Sequence, residues 1–339
     1  MIQAPTAEVI ATFHQGLARF WQPVATADQV TDRPLAVELL GRSLVLARLE
    51  GKVIAFDDLC RHFGAALSVG EVIDGRRLRC AYHGWSYDAG GRCVDIPARR
   101  GLPIPREARV TSYPARESYG LVWVCLAGEP AADLPAYPEF ADAAFVKTAI
   151  RVYEPWRASA TRIVMAALDD THFPWVHPGT LGDPAHPEPP DHTADLLGDH
   201  LVAAYSIEQP ANVSLGSAEG ASGLETVTYT NHVWPTTVRL VKNAPGGNFV
   251  LFQTMQPIAH DRSRIFLQVA RDFDPDPEHD RSYIDFEDVI QSQDRPIVES
   301  QRPWLLPPLS SRLMLYVRPA DLPLIALQKW MEELGLPQV

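Results

Sequence analysis

The apolar positions of the chain change rhythm from one region to the next. Between Thr6 and Phe20, the residues Val9, Ile10, Phe13 and Leu17 recur at helical spacing, so a helix is predicted there with Thr6 as its cap. From about residue 35 to 126 the pattern becomes that of short strands, predicted at 35–40, 44–49 and the unbroken apolar run 121–126, with Gly and Asp turns between them. Pro130, Pro135 and Pro138 then interrupt the pattern, and a domain boundary is placed there. The second half opens with a helical pattern over 159–175, followed by strand candidates at 201–207, 225–233, 237–242, 249–256 and 264–271. The Pro245-Gly246-Gly247 turn is read as a hairpin joining two of them. Helices are predicted over 283–300 and 322–334; in the latter, Leu324, Leu327, Met331 and Leu334 share one side and Asp321 takes the cap position. Strands dominate and no βαβ alternation appears, so the class is α+β with antiparallel sheets.

Composition excludes several kinds of protein. A length of 339 residues suggests two domains, and 46% hydrophobic with 21% charged residues is ordinary for a globular chain. No apolar run approaches the roughly 18 residues of a spanning helix, so no membrane insertion is expected. Residues 1–20 lack a basic start, an apolar block and a small-residue cleavage site, so no secretory signal is expected. A net charge of -12 argues against general nucleic-acid binding. Four cysteines in so long a chain do not make a disulfide framework, which points to a cytoplasmic protein.

Two of those cysteines carry the strongest signal. Cys60-Arg61-His62 is followed, after 17 residues, by Cys80-Ala81-Tyr82-His83-Gly84-Trp85. Each segment offers one thiolate and one imidazole from a tight loop, and two such loops together make a four-ligand metal site. A structural zinc site is one reading, although zinc fingers usually place both cysteines in one loop. The order Cys, His, Cys, His suits a Rieske [2Fe–2S] centre, in which two thiolates hold one iron and two imidazoles the other. Neutral imidazoles make that cluster less negative and raise its potential. Cys93 and Cys125 have no ligand-like spacing and are read as packing residues.

A second constellation lies in Asp169-Asp170-Thr171-His172-Phe173-Pro174-Trp175-Val176-His177. Five residues apart on an unbroken helix, His172 and His177 would point about 140° apart. Pro174 lies between them, and a kink or helix end there is expected to turn both imidazoles to one point. Two histidines and a carboxylate make the facial triad of non-haem Fe(II) oxygenases. The carboxylate candidates are Asp294, placed just before a bend expected at Pro296, and its rivals Glu287, Asp288 and Glu299.

With both constellations in view, the chain resembles the α subunit of a Rieske non-haem iron oxygenase, over nearly its whole length. It is similar to the smaller homotrimeric members related to vanillate and dicamba O-demethylases and caffeine N-demethylases. The resemblance implies an N-terminal Rieske [2Fe–2S] β-domain at 18–130. It also implies a C-terminal catalytic domain at 145–339, an antiparallel sheet wrapped around a helix (a helix grip), with residues 1–17 packing against it. It implies Cys60, His62, Cys80 and His83 as cluster ligands and His172 and His177 as ligands of a mononuclear Fe(II). Asp294 followed by Glu299 matches the family's Asp-x-x-x-x-Glu segment, which implies Asp294 as third ligand. Asp169 falls where the family keeps a bridging aspartate bonded to a cluster histidine of the neighbouring subunit, by position His83; in the family, cluster and iron of one chain are too far apart for fast transfer. One departure is Met165-Ala166 where many members have an asparagine, which leaves no amide for a role beside the iron.

The activity implied is monooxygenation: hydroxylation, or O- or N-demethylation, of a small aromatic substrate, using O2 and electrons from NAD(P)H through a separate ferredoxin or flavin reductase. Ring dioxygenation is not separated from it, and a pure electron-transfer Rieske protein is the remoter alternative. Residues 51–110 carry a charge of +3, leaving -15 on the rest, so arginines near the cluster loops are expected to dock an acidic electron donor.

Overall fold

The structure, a computed structural model, describes residues 4–212, 215–217 and 220–336. The chain divides into two compact units, Ala18–Asp133 and Met1–Leu17 together with Leu134–Val339. Among the described residues, no helix is long and apolar enough to cross a membrane.

The first unit is built almost wholly of strands. In chain order they are β1 (Gln22–Thr26), β2 (Leu35–Leu39), β3 (Arg42–Leu49), β4 (Lys52–Asp57), β5 (Glu71–Ile73), β6 (Arg77–Arg79), β7 (Ser86–Tyr87), β8 (Cys93–Asp95), β9 (Ser112–Tyr113), β10 (Ala115–Ser118) and β11 (Leu121–Val124). They form three antiparallel sheets, ordered β1-β11-β10, β2-β3-β4-β9 and β5-β6-β7-β8. Two-residue hairpins at Leu40-Gly41, Glu50-Gly51 and Tyr119-Gly120 have positive φ at both positions, the turn whose twist matches that of paired strands. The strand predicted to Leu40 therefore stops at Leu39. Val45, Ala47 and Leu49, at period two on β3, pack with Ile54 and Phe56 of β4 and with Leu78 and Tyr87, so β4 and the small β5-β6-β7-β8 sheet share one core.

The second unit wraps a sheet around helices. Its elements are α1 (Ala7–Ala18), β12 (Val146–Lys147), β13 (Arg151–Val152), α2 (Ala160–Leu168), α3 (Phe173–Val176), β14 (Thr193–Leu197), β15 (His200–Pro210), β16 (Leu224–Trp234), β17 (Thr237–Ala244), β18 (Gly247–Ala259), β19 (Arg262–Arg271), α4 (Asp280–Ser300) and α5 (Leu322–Glu333). The eight-stranded antiparallel sheet runs β12-β19-β18-β17-β16-β15-β14, with β13 also on β19. The five predicted strands are all present and longer than expected, and Pro245-Gly246 closes the β17–β18 hairpin. Antiparallel register puts Val238, Leu240 and Lys242 of β17 on the same face as Gln253, Leu251 and Phe249 of β18. Helix α2 packs against β16, β17 and β18 and against α4 and α5.

The helix predicted over 159–175 is two helices. Ser159 caps α2 by accepting the Arg162 N–H at 3.3 Å, and α2 ends at Asp169, where ψ turns to 130°. The Asp169 carboxylate captures the Thr171 N–H at 3.0 Å, a local turn that competes with continuing the helix. Pro174 lies in the first turn of α3, where a missing N–H costs nothing. The break expected at Pro174 thus falls earlier, and the proline starts a helix rather than ending one. Pro296 likewise stays inside α4, which continues to Ser300, so the bend expected there is not needed to aim Asp294.

Candidate metal centres

The loop after β4 and the loop between β6 and β7 are two copies of one turn. In each, the cysteine carbonyl accepts the N–H of the glycine four residues on (Gly64 at 2.9 Å, Gly84 at 3.1 Å), and the cysteine N–H donates to the carbonyl five residues on (Ala65 at 2.8 Å, Trp85 at 2.9 Å). Both glycines sit at φ +73°, where a Cβ costs about 1–2 kcal/mol. Repetition of the turn delivers Cys60 and Cys80 buried, His62 half-buried and His83 exposed. The Nδ1 atoms of His62 and His83 approach to 3.2 Å, and the His62 ring stacks on Trp85 at 4.6 Å between centroids. Burial pushes the Cys60 thiol up, and the Tyr87 hydroxyl opposes this. That hydroxyl lies 3.2 Å from Cys60 Sγ and accepts the Arg61 N–H at 3.1 Å, which leaves its own proton for the sulfur. Cys93 and Cys125 are buried and give their thiols to the carbonyls of Asp95 and Ala18, as packing cysteines do.

These four donors do not surround one ion. Ligands about 2.0–2.3 Å from a single tetrahedral zinc lie within about 4 Å of one another. Among the described residues, the only three His, Cys, Asp or Glu side chains with ligand atoms all within 4.8 Å belong to a different group. Separate pairs of nitrogen and sulfur donors are what a two-iron cluster requires.

That other group is His172, His177 and Asp294. His172 is the residue before α3, His177 the residue after it, and Asp294 comes from the inner face of α4. Asp294 Oδ1 lies 3.1 Å from His177 Nε2 and 3.5 Å from His172 Nε2. Ligand atoms about 2.1 Å from one metal and 90° apart lie about 3 Å from each other, so these separations fit one face of an octahedron. The buried Nε2 of His177 has no hydrogen-bond partner despite the nearby carboxylate oxygen, an orphaned atom that a metal would satisfy. Both outward Nδ1 atoms are held: His177 by Gln293 Oε1 at 2.7 Å, His172 by Asp169 Oδ2 at 3.1 Å. Burial alone would raise the Asp169 carboxyl, but His172 and Thr171 hold it below its ordinary value. Glu299 instead binds Arg295 at 2.9 Å and the Arg157 N–H at 3.0 Å, and Asp288 pairs with Arg151 at 2.9 Å, so neither rival reaches the triad.

The triad opens on a pocket of about 680 Å³, part of it open to solvent. Its walls are Leu240, Lys242, Phe249, Leu251 and Gln253 of the sheet, with Phe286, Glu287, Ile290 and Gln291 of α4. Asn231, His232, Trp234 and Phe252 do not line it: His232, Trp234 and Phe252 fall on the opposite strand parity, Phe252 stacking on Tyr137 at 4.3 Å, and Asn231 has the right parity only. The Pro-rich segment after His177 contributes only Leu181; Pro187, Pro189 and Pro190 line a separate cavity.

Residues 20–114 match the Rieske [2Fe-2S] domain, and residues 156–336 match the vanillate O-demethylase oxygenase C-terminal domain. The chain belongs to the Rieske non-haem iron oxygenases. It is 33% identical over 327 residues to the methylxanthine N1-demethylase NdmA of Pseudomonas putida, covering 94% of this chain and 89% of the relative. The methylxanthine N3-demethylase NdmB of the same organism is 31% identical over 95% of this chain and 91% of its own. The solved structure of NdmA with caffeine superposes with a TM-score of 0.81 at 31% identity, covering 96% of this chain and 92% of that one. Dicamba monooxygenase bound to 3,6-dichlorosalicylic acid shares the fold with a TM-score of 0.79 at 21% identity. As a Rieske oxygenase the chain takes a [2Fe–2S] cluster and a mononuclear iron, and it is an oxidoreductase that depends on a separate electron donor. The sequence reading missed Gln293, Thr171, Tyr87 and the polar cavity liners, because single residues that act on a ligand or line a wall leave no spacing signature.

Proposed function

We propose that this Rieske oxygenase demethylates a small aromatic or heteroaromatic substrate at oxygen or nitrogen. The reading rests on one observation: two imidazoles and a carboxylate converge, with a buried Nε2 unpaired, at the edge of a mostly apolar pocket. Cys60, Cys80, His62 and His83 would hold the cluster, and His172, His177 and Asp294 the iron. The cluster supplies single electrons and the iron supplies activation of O2. The overall change is balanced as R–X–CH3 + O2 + 2 electrons + 2 H⁺ giving R–X–CH2OH + H2O, after which the hemiacetal or hemiaminal loses formaldehyde and leaves R–XH.

The chain's own residues prepare that chemistry. Asp169 and Gln293 fix the tautomer and orientation of the two imidazoles. Phe249, Leu251, Phe286 and Ile290 exclude water and hold a flat ring. The bridging role implied for Asp169, toward His83 of the partner subunit, would make the working unit a head-to-tail homotrimer, with NAD(P)H-derived electrons entering in the cytoplasm. Arg77, Arg79 and Arg92 pair with Asp74, Glu71 and Asp88, while Arg61 stays exposed in the first cluster loop and Arg76 in the β5–β6 turn.

The test is anaerobic reconstitution followed by metal analysis and turnover. Three irons per chain, the paramagnetic signal of a reduced Rieske cluster, and stoichiometric O2 uptake and formaldehyde on a panel of methoxy- and N-methyl-aromatics are expected. A His177→Ala variant should keep two irons and the cluster signal and lose turnover. A diol product without formaldehyde would move the reading to ring dioxygenation.

A further inference from the structure

Within this demethylase reading, the cavity wall carries a group that its chemistry does not use. Lys242 lies on β17 with Tyr229 of β16 and Phe249 of β18 as its direct cross-strand neighbours. It is 1% exposed, it lines the cavity, and its Nζ has no hydrogen-bond partner among the described residues. The Tyr229 ring lies 5.9 Å below the ammonium. The carboxylate whose charge acts on it, Glu225, accepts the Ser217 hydroxyl and makes no hydrogen bond to Nζ. Burial pulls the Lys242 pKa down to about 8, which still leaves the ammonium the major form at neutral pH.

The Tyr229 face and the charge of Glu225 offset the burial of this cation only in part, since neither gives Nζ a hydrogen bond. Leu240, Leu251, Phe249 and Phe286 are apolar, and an ammonium taken out of water without a counter-charge is strongly unfavourable. Glu287, the other liner with an unpartnered buried oxygen, is pushed up to about 8, first by burial and then by Asp294 and Asp288. Neither its unpartnered oxygen nor Lys242 Nζ has a hydrogen-bond partner among the described residues, so the two do not pair with each other. Lys242 is the one Lys or Arg in the lining, and a single ammonium suits one delocalised negative charge, not a phosphate, which calls for several donors.

We propose that the substrate is an aryl acid, a carboxylate or sulfonate on a flat ring, whose oxyanion pairs with Lys242 Nζ while the ring lies against Phe249, Leu251 and Phe286. The pair would set which methyl-bearing rings enter, a requirement that neutral methylxanthines would not meet.

The experiment is calorimetric binding to the iron-loaded enzyme of 4-methoxybenzoate, 4-methoxybenzenesulfonate, 4-methoxybenzamide and a panel of N-methyl aryl acids with their amides. The wild type should bind acids at least tenfold more tightly than the matched amides, and the tighter of carboxylate and sulfonate names the acid group. Lys242→Met should bring the acids down to the amides' affinity while leaving the cluster spectrum and amide binding intact. Lys242→Arg should keep the preference, which separates loss of charge from loss of fold. Equal binding of acids and amides by the wild type, no acid-selective binding anywhere in the panel, or a preference that survives Lys242→Met would overturn the assignment. Formaldehyde measured on the same samples separates the two readings: acid-selective binding without O2-dependent formaldehyde overturns the demethylase reading alone, and formaldehyde without acid preference overturns only the role of Lys242.

Discussion

Asp169 serves three partners with two oxygens. Oδ1 accepts the Thr171 N–H and hydroxyl, and Oδ2 faces His172 Nδ1. Asn can reproduce the first set but presents an NH2 or a neutral oxygen to the imidazole, so His172 loses the carboxylate that fixes its tautomer. Asp169→Asn should keep all three irons per chain and lose about 100-fold in kcat. Iron assay, cluster absorbance and O2 uptake on one sample check this, and activity near wild type would take Asp169 out of the electron route. Gln293 acts on the metal site differently, through a buried imidazole. Gln293→Leu removes the partner of His177 Nδ1 and should weaken mononuclear iron about 10–100-fold, read by chelator competition, with the cluster signal unchanged. The contrast shows what was legible at this scale. Cys60 to His83 and Asp169 to His177 announce themselves because metal chemistry forces residue types into fixed spacings. Asp294 needed the family pattern, since one acid on a helix face resembles any other. Gln293, Tyr87 and Lys242 were invisible, because each acts through a neighbour that only folding supplies.

The elements were readable where burial imposes a period and unreadable where a local competition decides. Strands β15 to β19 alternate over long stretches, so their parity, and with it the cavity wall, was within reach. β14 is mostly exposed and β7 has only two residues, too little for a period to show. The end of α2 turned on one Asx turn that outweighed a proline. Helix α1 offers a measurable case of such local balance. It docks by Phe13 and Leu17, which carries His14 into a site where its Nε2 has no partner. Burial first, and His260 second, lower the His14 pKa from 6.5 to about 4. Burial, with Arg239 and His200, lowers that of His232 to about 4 as well. Both are neutral when folded and titrate near 6.5 when unfolded, so unfolding takes up protons between those values. Their stabilisation is complete above about pH 6.5 and is lost as pH falls toward 4, at most about 1.4 kcal/mol per pH unit for each histidine. Urea midpoints should fall from pH 7 to 4.5, and His14→Gln should halve the part of the slope due to these two groups. An unchanged slope in the variant would place α1 outside this linkage.

At the scale of the whole molecule, the fold class followed from the pattern of strands, but the pairing of a Rieske unit with a helix-grip unit followed only from the motifs, because periodicity records which face is buried and not which sheet lies beside which. The assembly is further still from the sequence, and it has a functional test. Cys60→Ser should remove the cluster and keep the mononuclear iron, while His177→Ala does the reverse, so each variant alone should be inactive whether or not it forms the proposed trimer. In a closed head-to-tail ring every subunit's cluster serves one neighbour's iron. When the two variants are co-expressed and assemble at random, a cluster-bearing subunit precedes an iron-bearing one at about a quarter of the interfaces, so about a quarter of wild-type activity per chain should return. Transfer within a chain returns none, because no single chain then carries both centres. Mixing the two purified homotrimers without subunit exchange provides the control and should remain inactive. Recovery that required co-expression would place electron transfer between subunits, and its absence in verified mixed trimers would confine each electron to the chain it entered.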